Sequence, residues 1–318
     1  MKKFLITISK FGILLFLMCC IIEIGLLYRP NIYSYKYQYM EDHLNDIRIL
    51  LLGSSHVEEG VMPELLGTGA FNLAISARLN EYDAALAEKY VPRMDSLKVL
   101  VMHMDYSTFM YGRLKHNPKE TNNGVSLIGT CHCMHTKYMR LHVAPFWYWS
   151  EILNSKLNYM SRFWNGPKVL QECDSLGFVG LNLEERRPGW EYRNLADEFD
   201  PSLPINQDTY NHLWTIYESI AHVTNQRGVR LILINTPVYK TYQEAVNETV
   251  LNDIQDFVKK LQQKYPNIEY YNYMFAADFL PDDFNDSSHL TVTGAEKLSR
   301  LLAEVINNPS PLVGKFNQ

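Results

Sequence analysis

The feature that most constrains this chain is the stretch Ile47–Gly60, IRILLLGSSHVEEG. After Arg48 it has no polar alternation up to Leu52, the pattern of a strand buried on both faces in the middle of a parallel sheet. The run stops at Gly53, followed by Ser54, Ser55 and His56. Open α/β sheets bind their ligands at the carboxyl ends of such strands. A serine there becomes a nucleophile if a base reaches it.

A base is available far along the chain, in Phe284–Gly294, FNDSSHLTVTG. Asp286 and His289 are three residues apart, just ahead of a helical pattern over Val292–Ile306. One loop can therefore present both side chains to one point. The imidazole then faces the serine, and the carboxylate fixes its tautomer. Each signal alone has an ordinary explanation, a Gly-Ser-Ser turn in one case and a helix cap in the other. Together, at the two ends of a β/α pattern, they resemble the SGNH/GDSL hydrolase superfamily. There the first block is Gly-Asp-Ser and the last is Asp-x-x-His. The resemblance makes Ser55 the nucleophile, with Asp286 and His289 completing the triad, and puts Ser54 where the usual aspartate stands.

The rest of the pattern suits an α/β domain. Strands are expected at Ile47–Gly53, Ala70–Ile75, Lys98–Met104, Val229–Asn235 and Ile268–Tyr273. Helices are expected over Asn80–Val91, Asn206–Arg227, Glu244–Lys264 and Val292–Ile306. Strands alternating with helices predict a doubly wound parallel sheet. The resemblance implies a flavodoxin-like, three-layer α/β/α fold with strand order 2-1-3-4-5, and covers about residues 47–107 and 206–306. The expected domain runs over 47–308, interrupted by an insertion at about 109–203, with a tail over 309–318. The insertion carries Trp147, Trp149, Trp164 and Trp190. It is placed to be a lid or substrate-recognition element, and its tryptophans suit a small core of its own or a sugar platform.

The superfamily adds two oxyanion donors, a glycine amide after the second strand and an asparagine side chain after the third. Here the second block reads Phe71-Asn72-Leu73-Ala74-Ile75-Ser76-Ala77, with alanines in place of both glycines. The third reads His103-Met104-Asp105-Tyr106, with Met104 in the asparagine's place. The candidates for oxyanion or substrate contact are therefore Ala77, His103, Asn72 and His56, beside the amide of Ser55. His56 suits a leaving-group or acidic-substrate contact, or a supporting hydrogen bond behind the triad. Glu58 and Glu59 are expected on an exposed helix start near Met62-Pro63-Glu64.

Met1–Leu27 differs from the rest. Lys2 and Lys3 precede an almost wholly apolar stretch interrupted by Lys10 and Glu23. With those two charges snorkelling to opposite faces, Phe4–Tyr28 approaches the roughly 20 residues that a bilayer needs. No small-x-small cleavage site follows, so residues 1–28 are expected to form an uncleaved transmembrane helix with the main domain outside the cytoplasm. The tyrosine-rich residues 29–46 then serve as an interfacial segment or as a linker packed on the domain.

The net charge of −5 gives no reason to expect nucleic acid. Cys131-His132-Cys133-Met134-His135 lacks a matching second cluster for a tetrahedral metal site. A disulfide from Cys173 to Cys131 or Cys133 is the more natural expectation, and no metal or cofactor is expected. Anchor, Gly-Ser-Ser-His and Asp-x-x-His together resemble envelope proteins that add or remove acyl groups. That implies esterase or O-acyltransferase chemistry on a cell-surface polysaccharide, with a membrane acyltransferase as a partner. The alternative is a non-catalytic binding or assembly subunit of a surface-polymer system.

Overall fold

The structure, a computed structural model, describes residues 1–27, 32–76, 78–109, 173–193, 195 and 207–308. Helix α1 covers Lys2–Leu27 and α2 covers Ile32–Asp42. Next come β1 (Ile49–Leu52), α3 (Ser55–Glu58), α4 (Pro63–Leu66), β2 (Ala70–Asn72), α5 (Asn80–Tyr90) and β3 (Val99–His103). The second half holds α6 (Gln207–Gln226), β4 (Arg230–Asn235), α7 (Lys240–Ala245), α8 (Glu248–Lys264), β5 (Ile268–Asn272) and α9 (Val292–Asn307).

The five strands form one parallel sheet in the order β2-β1-β3-β4-β5. Every residue of β1 and β3 is buried. Period-two alternation divides these side chains between two cores. Leu50, Leu52, Leu100, Met102, Leu231 and Leu233 pack toward α5, α6 and α8, where Leu86, Tyr217 and Phe257 meet them. Ile49, Leu51, Val99, Val101, Ile232 and Ile234 pack on the other face with Leu66 of α4 and Leu298 and Leu302 of α9. An uninterrupted apolar strand is thus what a sheet covered on both faces requires.

The expected strands and helices form, most with ends up to three residues shorter where loops begin, while α9 runs one residue further than expected, to Asn307, and α7 starts four residues earlier, at Lys240. The helix expected over Glu244–Lys264 is divided. Asn247 leaves the helical conformation and accepts a hydrogen bond from the Thr249 amide, so it caps α8 and separates it from α7. The segment read as a linker or interfacial stretch contains α2, packed on the domain with Tyr39 stacked 4.0 Å from Phe71 between ring centres.

The expected transmembrane span is not found. Among the described residues, no helix is long and apolar enough to cross a membrane. In α1, Lys2, Lys3 and Lys10 lie within the stretch whose side chains are described without a break, leaving Phe11–Met18 as its uncharged run. The apolar side chains of that run are exposed.

Most of the insertion, including Trp147, Trp149, Trp164, Cys131 and Cys133, lies outside the described residues. Its described part, 173–193, is a strap across the carboxyl edge of the sheet. The Leu176 carbonyl takes the Asn72 amide at 2.8 Å, the Val179 amide donates to Glu58 O at 3.2 Å, and the Leu181 carbonyl takes the Val292 amide at 2.9 Å. The strap thus ties the segment after β1 to the start of α9. Cys173 carries a free thiol.

Candidate active site

Gly53 makes the turn that ends β1. Its φ of +137° is a conformation that residues with a side chain rarely adopt, and an added Cβ would lie 2.4 Å from His103 Nδ1. The turn thus needs glycine for both its backbone and its close neighbour. From it the chain enters α3, with Ser55 as its first residue.

The opposite side of the site comes from the loop ahead of α9. Phe284 and Leu290 pair as an antiparallel bridge, and the Asn285 amide donates to His289 O at 2.8 Å. This closes 284–290 into a tight loop. The Asp286 carboxylate accepts the backbone amides of Ser288 and His289, each at 2.9 Å. Thr291 then caps α9, and Gly294 lets the helix pass against Asp283, whose carbonyl would lie 2.2 Å from an added Cβ.

These two loops meet. His289 Nε2 lies 2.8 Å from Ser55 Oγ, and its Nδ1 lies 2.9 and 3.0 Å from the two Asp286 oxygens. Ser55, His289 and Asp286, named from the sequence, therefore stand in the geometry of a serine-hydrolase triad. Burial works against the charged form of Asp286, but the His289 hydrogen bond and charge outweigh it and hold the carboxyl at about 2. Burial likewise disfavours the imidazolium of His289, yet the Asp286 hydrogen bond and charge raise its pKa above the usual value. The pair is arranged to stabilise a proton taken up by His289.

The oxyanion candidates fare differently. Asn72 is fully buried, and its Nδ2 bonds the carbonyls of Val57 and Val61 at 2.9 and 3.0 Å while its Oδ1 takes the Ala74 amide at 3.0 Å. Asn72 holds the segment after α3 and is not an oxyanion donor. His103 lies under the nucleophile turn, where its Nδ1 faces the Ser54 amide at 3.4 Å and Tyr217 donates to its carbonyl at 2.9 Å. It is buried, and burial lowers its pKa, so it supports the turn from beneath rather than standing as an exposed donor. Met104 is fully buried. Ala77 lies outside the described residues, and the amide of Ser55 keeps its candidacy from its place at the start of α3.

His56 takes the supporting role among the two open to it. Its Nδ1 is 2.6 Å from Asp105 Oδ2, and its ring stands edge-on to His289 with centroids 4.9 Å apart. Asp105 also accepts from the Ser107 hydroxyl at 2.7 Å and the Thr108 amide at 2.9 Å. Burial alone would raise the Asp105 pKa; the His56 and His103 imidazoles beside it, with the hydrogen bonds to His56 and Ser107, hold it far below the usual carboxylate range. Sequence reasoning missed this second imidazole–carboxylate pair. Its signal was Asp-x-Ser-Thr directly after β3, a helix cap at the strand end beside β1.

The expected exposed helix start at Glu58 and Glu59 is also corrected. Glu58 ends α3 and is buried, because Lys36 of α2 reaches it with Nζ 2.9 Å from Oε1. Glu59 is half-buried, and burial raises its pKa. Among the described residues, no group of three or more His, Cys, Asp or Glu is placed to hold a metal.

No protein-family model and no curated protein matches this sequence. Among solved structures it is similar to a Streptococcus pneumonia protein provisionally described as a platelet activating factor. That likeness has 14% identity and a TM-score of 0.41, and covers 91% of this chain and 98% of that one. It is also similar to a GDSL-like lipase from Bacteroides thetaiotaomicron, at 11% identity and a TM-score of 0.40, covering 87% and 98% of the two chains. Likenesses this distant say nothing of chemistry.

Proposed function

We propose that the chain is an SGNH-type serine enzyme that hydrolyses or transfers an acyl ester, with O-acyl groups on a cell-surface polysaccharide as its substrate class and acetyl as the acyl group. The observation that supports it is the contact of His289 Nε2 with Ser55 Oγ, with Asp286 behind the imidazole.

In this mechanism His289 takes the Ser55 hydroxyl proton as Oγ attacks the ester carbonyl carbon. The carbonyl π electrons move to oxygen, and the Ser55 amide is the proposed donor to the developing charge. Collapse of the tetrahedral intermediate expels the alcohol, which receives the proton from His289 and leaves an acyl-serine. Water gives net hydrolysis and an acceptor hydroxyl gives transfer, each losing its proton to His289 as it attacks; the acyl–Oγ bond then breaks, and Ser55 Oγ takes that proton back from His289. Asp286 stays ionised throughout and compensates the imidazolium.

The non-catalytic alternative draws on the third block, where Met104 and the His56–Asp105 pair leave no asparagine-like donor. The assembled triad speaks against it, since a binding subunit has no need of a base on its serine. In the proposed setting, the exposed apolar surface of α1 associates with the membrane, the α/β domain works outside the cytoplasm, and a membrane acyltransferase is the partner that supplies or receives acyl groups. Turnover of an acetylated sugar by the full chain, absent in Ser55→Ala, is the expected result. Equal turnover by both would remove the proposal.

A further inference from the structure

Lys36 stands outside the α/β pattern, on a helix that precedes the first strand, yet its side chain is completely buried. Its ammonium contacts Glu58 Oε1 at 2.9 Å and the Ala74 carbonyl. The other oxygen of Glu58 accepts both the Ser76 amide and the Ser76 hydroxyl, each at 2.6 Å. The Ser76 hydroxyl also lies 3.1 Å from Glu59 Oε1, and Glu59 is within electrostatic reach of His289 and His56.

This chain of contacts bears on the site at both ends. Glu58 is three residues past Ser55 on the single turn of α3. Ser76 follows the loop that runs beside the nucleophile turn, with the Ile75 amide on Gly53 O at 3.0 Å. The Ser76 amide is consumed by Glu58, so that carboxylate holds the backbone at Ser76 itself. Helix α2 is itself clamped in place: Tyr35 donates to Ser175 O at 2.9 Å, and a Cβ on Gly177 would touch Lys36 Cε.

We infer that Lys36 is a positioning residue of the active site, acting through Glu58 and Ser76 to fix the loop after β2 against the nucleophile's helix. A lysine buried here to no purpose would be costly, because burial disfavours its charge; the Glu58 carboxylate and the Ala74 carbonyl it meets offset part of that cost. The segment upstream of the α/β domain is then a working part of the site rather than a tether. The catalytic consequence rests on the acyl-serine mechanism proposed above; the positioning itself does not.

The test compares the full-length wild type with Lys36→Met and with Lys36→Met/Glu58→Gln. The double variant leaves no unpaired buried charge and keeps an acceptor for Ser76. One readout is hydrogen-exchange protection of the Ser76 amide, and the other is the saturating rate of Ser55 modification by a fluorophosphonate probe. Lys36→Met is expected to lose the protection and to slow modification about tenfold or more, below its own melting temperature, as small misplacements at a reacting centre do. The double variant is expected to regain the protection and to come within about twofold of wild type. Protection that persists in Lys36→Met, or a folded double variant no better than the single one, would overturn the inference. If wild type is never modified, the acyl-serine mechanism fails, and the exchange data alone decide the role of Lys36.

Discussion

His56 Nδ1 stands 2.6 Å from Asp105 Oδ2, so a second imidazole–carboxylate pair lies beside the triad, its ring edge-on to His289. The two pairs have different duties. His289 points at the nucleophile, while the carboxylate behind His56 is held by Ser107 and Thr108 at the end of β3.

Removing each carboxylate in turn separates them. Asp286→Asn removes the group that sets the tautomer of His289, and is expected to lower Ser55 reactivity by about 10³–10⁴. Asp105→Asn keeps the hydrogen-bonding shape around His56 and is expected to cost only about tenfold, with Ser55 still modified. Second-order rates of fluorophosphonate labelling measure both. Equal losses would mean that Asp105 belongs to the proton-transfer machinery.

The pH dependence has a defined sign. His289 acts as a base only when neutral, and its pKa is raised above 6.5, chiefly by the Asp286 hydrogen bond and charge acting against burial. Labelling should therefore climb with pH through a midpoint above 6.5 in wild type and through a lower one in Asp286→Asn. A midpoint unmoved by Asp286→Asn would contradict the pairing.

Stability should follow the same pair in two windows. The lowered Asp286 pKa contributes stability that is present above its unfolded value of about 3.8 and lost as pH falls toward about 2. The raised His289 pKa contributes stability complete below 6.5 and lost as pH rises through its folded value. The melting-temperature difference between wild type and His289→Gln, followed from acid to alkaline pH, should shrink at both ends. A flat difference would show that the pair adds nothing to folding.

Gly53→Ala should disable the turn without touching the triad. Its positive φ costs about 1–3 kcal/mol for a residue with a side chain, and the new methyl meets His103 Nδ1. Loss of labelling with a lower melting temperature is expected. Gly53→Ala/His103→Ala relieves the contact but not the backbone strain, so it should recover only in part, as paired melting curves would reveal. Full recovery would place the whole cost in the contact.

The legible parts of this protein were those with short-range signals. The apolar run of β1, its glycine stop and the Asp-x-x-His before α9 point to a sheet edge and a triad because strand period and turn chemistry are local. Asn247 was read through as helix because its side chain suits a cap only once the chain on each side is placed. Lys36 reads as one more charge in a polar, tyrosine-rich segment; its partner Glu58 lies across two secondary-structure elements, and no periodicity links them. His103 seemed available for substrate because its position after a strand says nothing of the Gly53 turn that covers it.

The most direct measurement is fluorophosphonate labelling of the full chain beside Ser55→Ala and Ser54→Ala. Labelling of wild type and Ser54→Ala, lost in Ser55→Ala, is the predicted result, since His289 contacts Ser55 Oγ at 2.8 Å. Folded wild type that neither labels nor turns over an acetyl ester would contradict the acyl-serine mechanism. Loss of labelling in Ser54→Ala with Ser55→Ala still reactive would move the nucleophile by one residue.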